Sequence, residues 1–155
     1  MSITYHEQMQ AIVRKYRNSD EEWPTTSRHI AAWAIGQGLW QPQLTLLISK
    51  CAEEVSDAMR EEHILDRQGR KVRAKHAVRL KIDGRQTVLW DDIRTAPRSH
   101  MAVAFQQRRQ QIVGDCRQLK MDVDSFNENL SQGEPIQMCF DFTADLAELE
   151  AADVA

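Results

Sequence analysis

Between Arg67 and Trp90 the chain reads RQGRKVRAKHAVRLKIDGRQTVLW, with eight cations (Arg67, Arg70, Lys71, Arg73, Lys75, Arg79, Lys81 and Arg85) against one acid, Asp83. Guanidinium and ammonium groups at this density can hold phosphate oxygens by charge-assisted hydrogen bonds, without regard to base sequence. The chain as a whole carries a formal net charge of −3, so this positive charge is concentrated rather than spread. All 20 Lys and Arg fall within residues 1–120, against 14 acids, a net of +6; residues 121–155 hold nine acids and no base. A slightly acidic balance therefore leaves a polyanion partner open, and the acidic tail is a candidate competitor for it.

Other chemistries find less support. HEQMQ at 6–10 lacks the second His of a metalloprotease helix, there is no glycine-rich phosphate loop, and no Cys pair has zinc spacing. His6, His29, His63, His76 and His100 fall in different predicted elements. The pairs Asp91-Asp92 and Asp122-Val123-Asp124 are one or two residues apart, a spacing that points side chains away from each other on a helix. The reading is a non-catalytic protein with no cofactor, metal site or small-molecule substrate. Arg108 and Arg109 in QQRRQQ either extend the basic surface or cover a helix face, the latter being favoured. Trp23, Trp33, Trp40 and Trp90 could stack on unpaired bases. For the first three, which flank or lie in an apolar helix, core packing is the expectation.

The basic stretch is expected to be a β-hairpin. Val72, Ala74, His76, Val78, Leu80 and Ile82 alternate with Arg73, Lys75, Arg79 and Lys81, placing apolar groups on one face of a strand and cations on the other. Asp83-Gly84 has the chemistry of a two-residue type I′ loop, and Thr87–Trp90 forms the return strand. The alternative is a solvated edge hairpin whose charges only discourage aggregation.

Helical spacing predicts the elements around it. A first helix covers 4–17, with Thr4 and Glu7 at capping-box spacing. A second, at 26–38, is apolar nearly all round, is expected to be buried against both neighbours, and ends at Gly38. Leu39-Trp40-Gln41-Pro42 connects it tightly to a third helix at 43–63 whose outer face carries Glu53, Glu54, Asp57, Glu61 and Glu62. A long helix comes next at 97–130, then breaker residues Ser131, Gln132, Gly133 and Pro135. Residues 136–142 alternate apolar and polar, which predicts a short half-buried strand, and the last residues form a short acidic helix or frayed tail. The fold class is thus α+β and mostly α. Its expected domains are 1–95, a long helix at 96–131, and an acidic tail at 132–155.

Three helices, the second and third joined by a tight turn, and then a basic hairpin, resemble the winged-helix form of helix-turn-helix DNA-binding domains, over residues 4 to 93. The resemblance implies a third helix facing the major groove and a hairpin wing on the backbone. Here the third helix turns acidic beyond Lys50, so only Gln41, Gln43, Thr45, Ser49 and Lys50 on its first turns suit DNA. The implied nucleic-acid set is the eight hairpin cations with Lys50 and Gln43, and the implied partner is DNA. The alternative is a protein-interaction or scaffold module that keeps the fold without binding DNA. Gln137–Phe142 is also similar to short peptides that dock on bacterial sliding clamps, although a strand within the fold is the favoured reading.

On the long helix Ile112, Cys116, Leu119, Val123, Phe126 and Leu130 recur at alternating steps of four and three, the seam of a coiled-coil interface. A homodimer is expected, the alternative being that the seam covers the chain's own first helix. Cys51, Cys116 and Cys139 are odd in number and widely spaced, which predicts buried reduced thiols and a reducing cytoplasm. The N-terminus lacks the basic start and apolar core of a signal peptide, and no apolar run approaches the roughly 18 residues of a membrane span. A soluble cytoplasmic protein without a membrane partner is the expectation.

Overall fold

The computed structural model describes residues 2–130 and 132–154; Ser131, one of the expected helix breakers, lies outside the described residues. The fold is α+β and mostly α, with five helices and two small antiparallel sheets among the described residues. It divides into two compact units, Met1–Asp57 and Ala58–Ala155.

In the first unit α1 (Tyr5–Arg17) starts where the sequence places it. The Thr4 hydroxyl accepts the Glu7 N–H at 3.2 Å while Glu7 accepts the Thr4 N–H at 2.7 Å. Two N–H groups left over by the helix geometry are thereby satisfied, and the same bonds hold the Glu7 carboxyl below its usual range. The second helix, α2 (Ser27–Gly36), is capped by Thr26. It ends at Gly38, whose φ of +68° lets Leu39 N–H reach Ala34 C=O at 2.9 Å. Such left-handed closure favours glycine. The third helix, α3 (Leu44–Glu61), spans the boundary between the units.

Tyr16 is the centre of this unit, with no exposed surface. Its ring meets Trp33 edge-on at 5.2 Å and its hydroxyl donates to Glu22 C=O at 2.9 Å. The expected burial of α2 on all sides is corrected: only Ala34 is fully buried and Ile35 is exposed, because α1 covers one of its faces. Trp23 is likewise exposed, not core, with the Arg17 guanidinium 4.4 Å from its ring centroid.

The second unit begins with β1 (His63–Leu65) and β2 (Lys71–Arg73), which pair antiparallel with Ile64 opposite Val72. Next comes a second hairpin made of β3 (Lys75–Ile82) and β4 (Arg85–Asp92), with Val78 opposite Leu89. The expected continuous strand from Val72 to Ile82 is therefore broken at Ala74. Fully buried, Ala74 donates its N–H to Glu62 C=O at 3.0 Å and accepts Ile93 N–H at 2.8 Å. Both partners lie far from it in sequence, and they turn the chain from one sheet into the next. The loop at the far end is as expected: Asp83 and Gly84 have φ of +49° and +75°, and Ile82 pairs with Arg85.

The long helix α4 (Arg98–Asn129) packs against β3. His100 Nε2–H donates to His76 C=O at 2.9 Å, and the Gln107 amide both donates to Arg79 C=O and accepts Arg79 N–H, at 2.9 and 2.8 Å. Seven helical residues and three strand residues each advance roughly 10 Å, so helix and strand run side by side in one direction. Gln107 thus stands in for a neighbouring strand on the open edge of β3. The core here is Ala74, His76, Val78 and Ala104; nearer the loop, Leu80 and Ile82 are exposed.

Two further expectations need correction. Residues 136–142 form no strand, since Asn127 on α4 takes both the N–H and the C=O of Ile136, at 2.9 and 2.8 Å, leaving the segment extended without a sheet partner. The chain then enters a regular helix, α5 (Thr143–Val154). The cysteines are not buried: Cys51 and Cys139 are exposed and Cys116 is half-buried.

Candidate nucleic-acid interface

The eight cations of the basic stretch separate into two groups once their partners are known. Arg70 is held by Asp66, Nε to Oδ2 at 2.7 Å, in the turn between β1 and β2. Lys75 sits between two acids, with Nζ 3.0 Å from Asp92 Oδ2 and 3.1 Å from Glu62 Oε2. Those bonds raise the Lys75 ammonium above its ordinary value, Asp92 contributing most. Asp92 also accepts Arg94 through both oxygens, at 2.9 and 2.6 Å, and this fork, followed by Lys75, holds its carboxyl far below the usual range. Arg70, although largely exposed, and the less exposed Lys75 are thus both engaged by carboxylates of the chain.

Arg67, Lys71, Arg73, Arg79, Lys81 and Arg85 form no ion pair among the described residues. Strand pairing places Arg79 and Lys81 on one face, beside Val88 and Gln86, and Arg85 on the opposite face, across from Ile82. Cations therefore wrap the loop end of the second hairpin on both sides. No carboxylate from Glu134 to Asp153 forms an ion pair among the described residues, so the acidic tail does not neutralise them by direct pairing.

Arg108, expected to cap a helix face, stands exposed on α4. His76 Nε2–H donates to Arg73 C=O at 2.9 Å, and its ring meets Phe105 edge-on at 5.4 Å. Phe105 and Arg108 lie three residues apart on α4, hence on adjoining positions of one face. Lost hydration and the nearby Arg73 charge hold Arg108 below its ordinary value. In the sequence Arg108 stands where the apolar spacing of Met101 and Phe105 breaks before it resumes at Ile112.

Gln43 and Lys50 belong to the first unit; Lys50 is exposed, with Glu54 3.9 Å away. Trp90 has the Arg60 guanidinium 5.5 Å from its ring centroid, so one of its faces is not open for stacking. On α4, Ile112, Leu119, Phe126 and Leu130 are exposed while Cys116 and Val123 are half-buried. An apolar groove of about 460 Å³ between α1 and α2, lined by Met9, Ile12, Ile30, Ile35 and Trp40 among others, offers no acid–base pair. Among the described residues no cluster of His, Cys, Asp or Glu is placed to hold a metal ion, and no helix is long and apolar enough to cross a membrane.

No family model, curated protein or solved structure matches the chain. Function has to be argued from the site itself.

His76 gives the site a pH dependence. Burial is the main cause of its lowered pKa, with the Arg108, Arg73 and His100 charges adding to it, against the opposing bond to Arg73 C=O. Above the ordinary value of about 6.5 the ring is neutral in folded and unfolded chains alike and contributes no pH slope. As pH falls through that value the unfolded chain takes up a proton that the folded chain refuses, so stability declines. Denaturant midpoints should drop between about pH 7.5 and pH 5.5, and His76→Gln should flatten that interval; an equally steep decline in the variant would rule the ring out as its source.

Proposed function

We propose that this chain is a non-catalytic nucleic-acid-binding protein that holds the phosphate backbone of DNA with the β3–β4 hairpin and the cations flanking it. The observation that carries the reading is the set of six cations without acidic partners among the described residues, beside Arg70, Lys75 and Arg94, which are all engaged by carboxylates. Cations without an acidic partner are free to exchange counterions for phosphates. The element order, three helices followed by antiparallel hairpins, supports a winged-helix arrangement with β3–β4 as the wing. In that arrangement the acidic face of α3 would disfavour deep base readout, and affinity would come mainly from backbone contact.

The exposed seam of α4 supports a second part of the proposal, that two copies pair through this helix. Its apolar row from Ile112 to Leu130 is narrow and flanked by Asp115, Gln118 and Asp122, as a two-helix interface requires. A protein-interaction role without DNA would rest on the same seam.

If about four of these six cations meet phosphates, log affinity for duplex DNA should fall against log salt with a slope of roughly −3.6. Replacing Arg79, Lys81 and Arg85 with Ala should make the slope shallower by roughly 2.7, whereas Lys50→Ala should leave it alone. An unchanged slope in the triple variant, with the fold intact by circular dichroism, would overturn the reading. For the pairing, Leu119→Gln with Phe126→Gln should convert a sedimenting dimer to a folded monomer; wild-type protein that sediments as a monomer at high micromolar concentration would exclude it.

A further inference from the structure

We infer that the apolar groove between α1 and α2 is filled by α3 of a second copy of the chain. The exchange is mutual, so the three-helix core of the first unit is completed across a dimer. This contact is independent of the nucleic-acid reading.

Both halves of the contact lie in the first unit. Among its described residues only Ile12, Tyr16 and Ala34 are buried, a small floor for two helices. Met9 and Val13 from α1 and Ile30 and Ile35 from α2 line the groove above it. Trp40 joins the lining, tied to Tyr5 by its Nε1–H, which donates to the Tyr5 hydroxyl at 2.9 Å. On α3, Leu44, Leu47, Ile48, Cys51 and Val55 recur at steps of three and four, which makes one stripe of a helix. The stripe is uncovered, with Leu44, Leu47 and Ile48 exposed by 76%, 57% and 70%.

One unit thus carries an open apolar groove and a bare apolar stripe, and a two-fold exchange covers both at once. The link between α2 and α3 runs only from Gln37 to Gln43, and a short hinge of this kind favours exchange between copies. Area points the same way. The chain exposes 13468 Å², against about 8,000 Å² for a folded monomer of 17.9 kDa. The excess is several times the roughly 800 Å² that each partner gives to a standard interface. Two unrelated two-fold contacts on one chain would build larger assemblies, so the α3 exchange and the α4 pairing serve one dimer.

Charge fixes the direction of the incoming helix. Arg14 and Arg17 follow Gln10 and Val13 by one turn, at the end of the groove away from Tyr5, and neither forms an ion pair among the described residues. Glu54 follows Cys51 by three residues along the stripe and is exposed, with only Lys50 beside it at 3.9 Å. Leu44 to Glu54 and Tyr5 to Arg14 both span roughly 15 Å of helix. An α3 laid parallel to α1 from Tyr5 therefore brings Glu54 to the two arginines.

The test is a disulfide cross-link in the full chain carrying Cys116→Ser, Cys139→Ser and Val13→Cys, which leaves Cys51 as the native thiol. Cys51 lies seven residues beyond Leu44 and Val13 eight beyond Tyr5, so the exchange sets the two thiols side by side in different chains. Mild oxidation should give a covalent dimer on non-reducing gels, with helical content by circular dichroism unchanged. Leu47→Gln with Ile48→Gln should lower its yield roughly tenfold, as loss of two anchoring side chains does. Glu54→Arg, at an exposed site, should lower it too, and Cys51→Ser should abolish it. A disulfide within one chain, seen as a monomer of altered mobility, would overturn the exchange by showing that α3 closes on its own groove. No disulfide, a dimer that survives Cys51→Ser, or a yield that neither stripe substitution lowers would also overturn it. If linking fails while wild type sediments as a dimer, the α4 pairing stands alone.

Discussion

The second unit depends on what happens at Ala74. Its N–H and C=O are claimed by Glu62 and Ile93, so the strand that would continue from β2 must stop there and restart at Lys75. Its methyl group is completely buried. A larger side chain would have to displace its neighbours, and a close-packed interior resists that. Lys75, the next residue, is drawn between Glu62 and Asp92, and Asp92 in turn orients Arg94. One backbone junction and one chain of ion pairs thereby fix two hairpins to each other.

That arrangement sorts the charges. Isolated exposed ion pairs stabilise little, but a shared network in partly shielded surroundings sets geometry even where its net energy is small. Acids near the junction are used up by cations near the junction. The remaining basic residues lie toward the loop end of the second hairpin, in the β1–β2 turn and strand, and around His76. Their positions are maintained from behind by α4, through His100, Phe105 and Gln107. The helix thus works as a splint for the basic strand over its first half. Its second half leaves apolar residues of the seam exposed, which is the surface proposed to meet a second copy.

The parts of this fold that are legible in the sequence are those decided within a few residues. The Thr4–Glu7 cap, the glycine that ends α2 and the Asp83-Gly84 loop each follow from local backbone chemistry, and all three are present. Alternation reports burial correctly at His76 and Val78, where α4 lies behind the strand, and overstates it at Leu80 and Ile82, where nothing comparable covers it. The break at Ala74 is invisible in sequence because side-chain periodicity does not report where backbone partners come from. The missing strand at 136–142 fails for a related reason: alternation fits an extended segment, but a strand also needs an edge to pair with, and Asn127 supplies an amide instead. Buried thiols are implied by apolar helix positions, yet an apolar position is buried only where another element packs on it, and Cys51 is exposed and Cys116 only half-buried. The role of Gln107 requires knowing that α4 lies beside β3, which no local pattern contains.

The central proposal is that the unpaired cations of β3–β4, with those of the hairpin before it, are the surface that meets nucleic acid. Backbone amide shifts of the labelled full chain, followed during titration with a short DNA duplex at low salt, test it most directly. The account predicts progressive perturbation of Arg79, Lys81, Arg85 and Arg73, with α5 and the exposed side of α3 unmoved. Perturbations confined to the groove between α1 and α2 or to the α4 seam, or none at all, would contradict it.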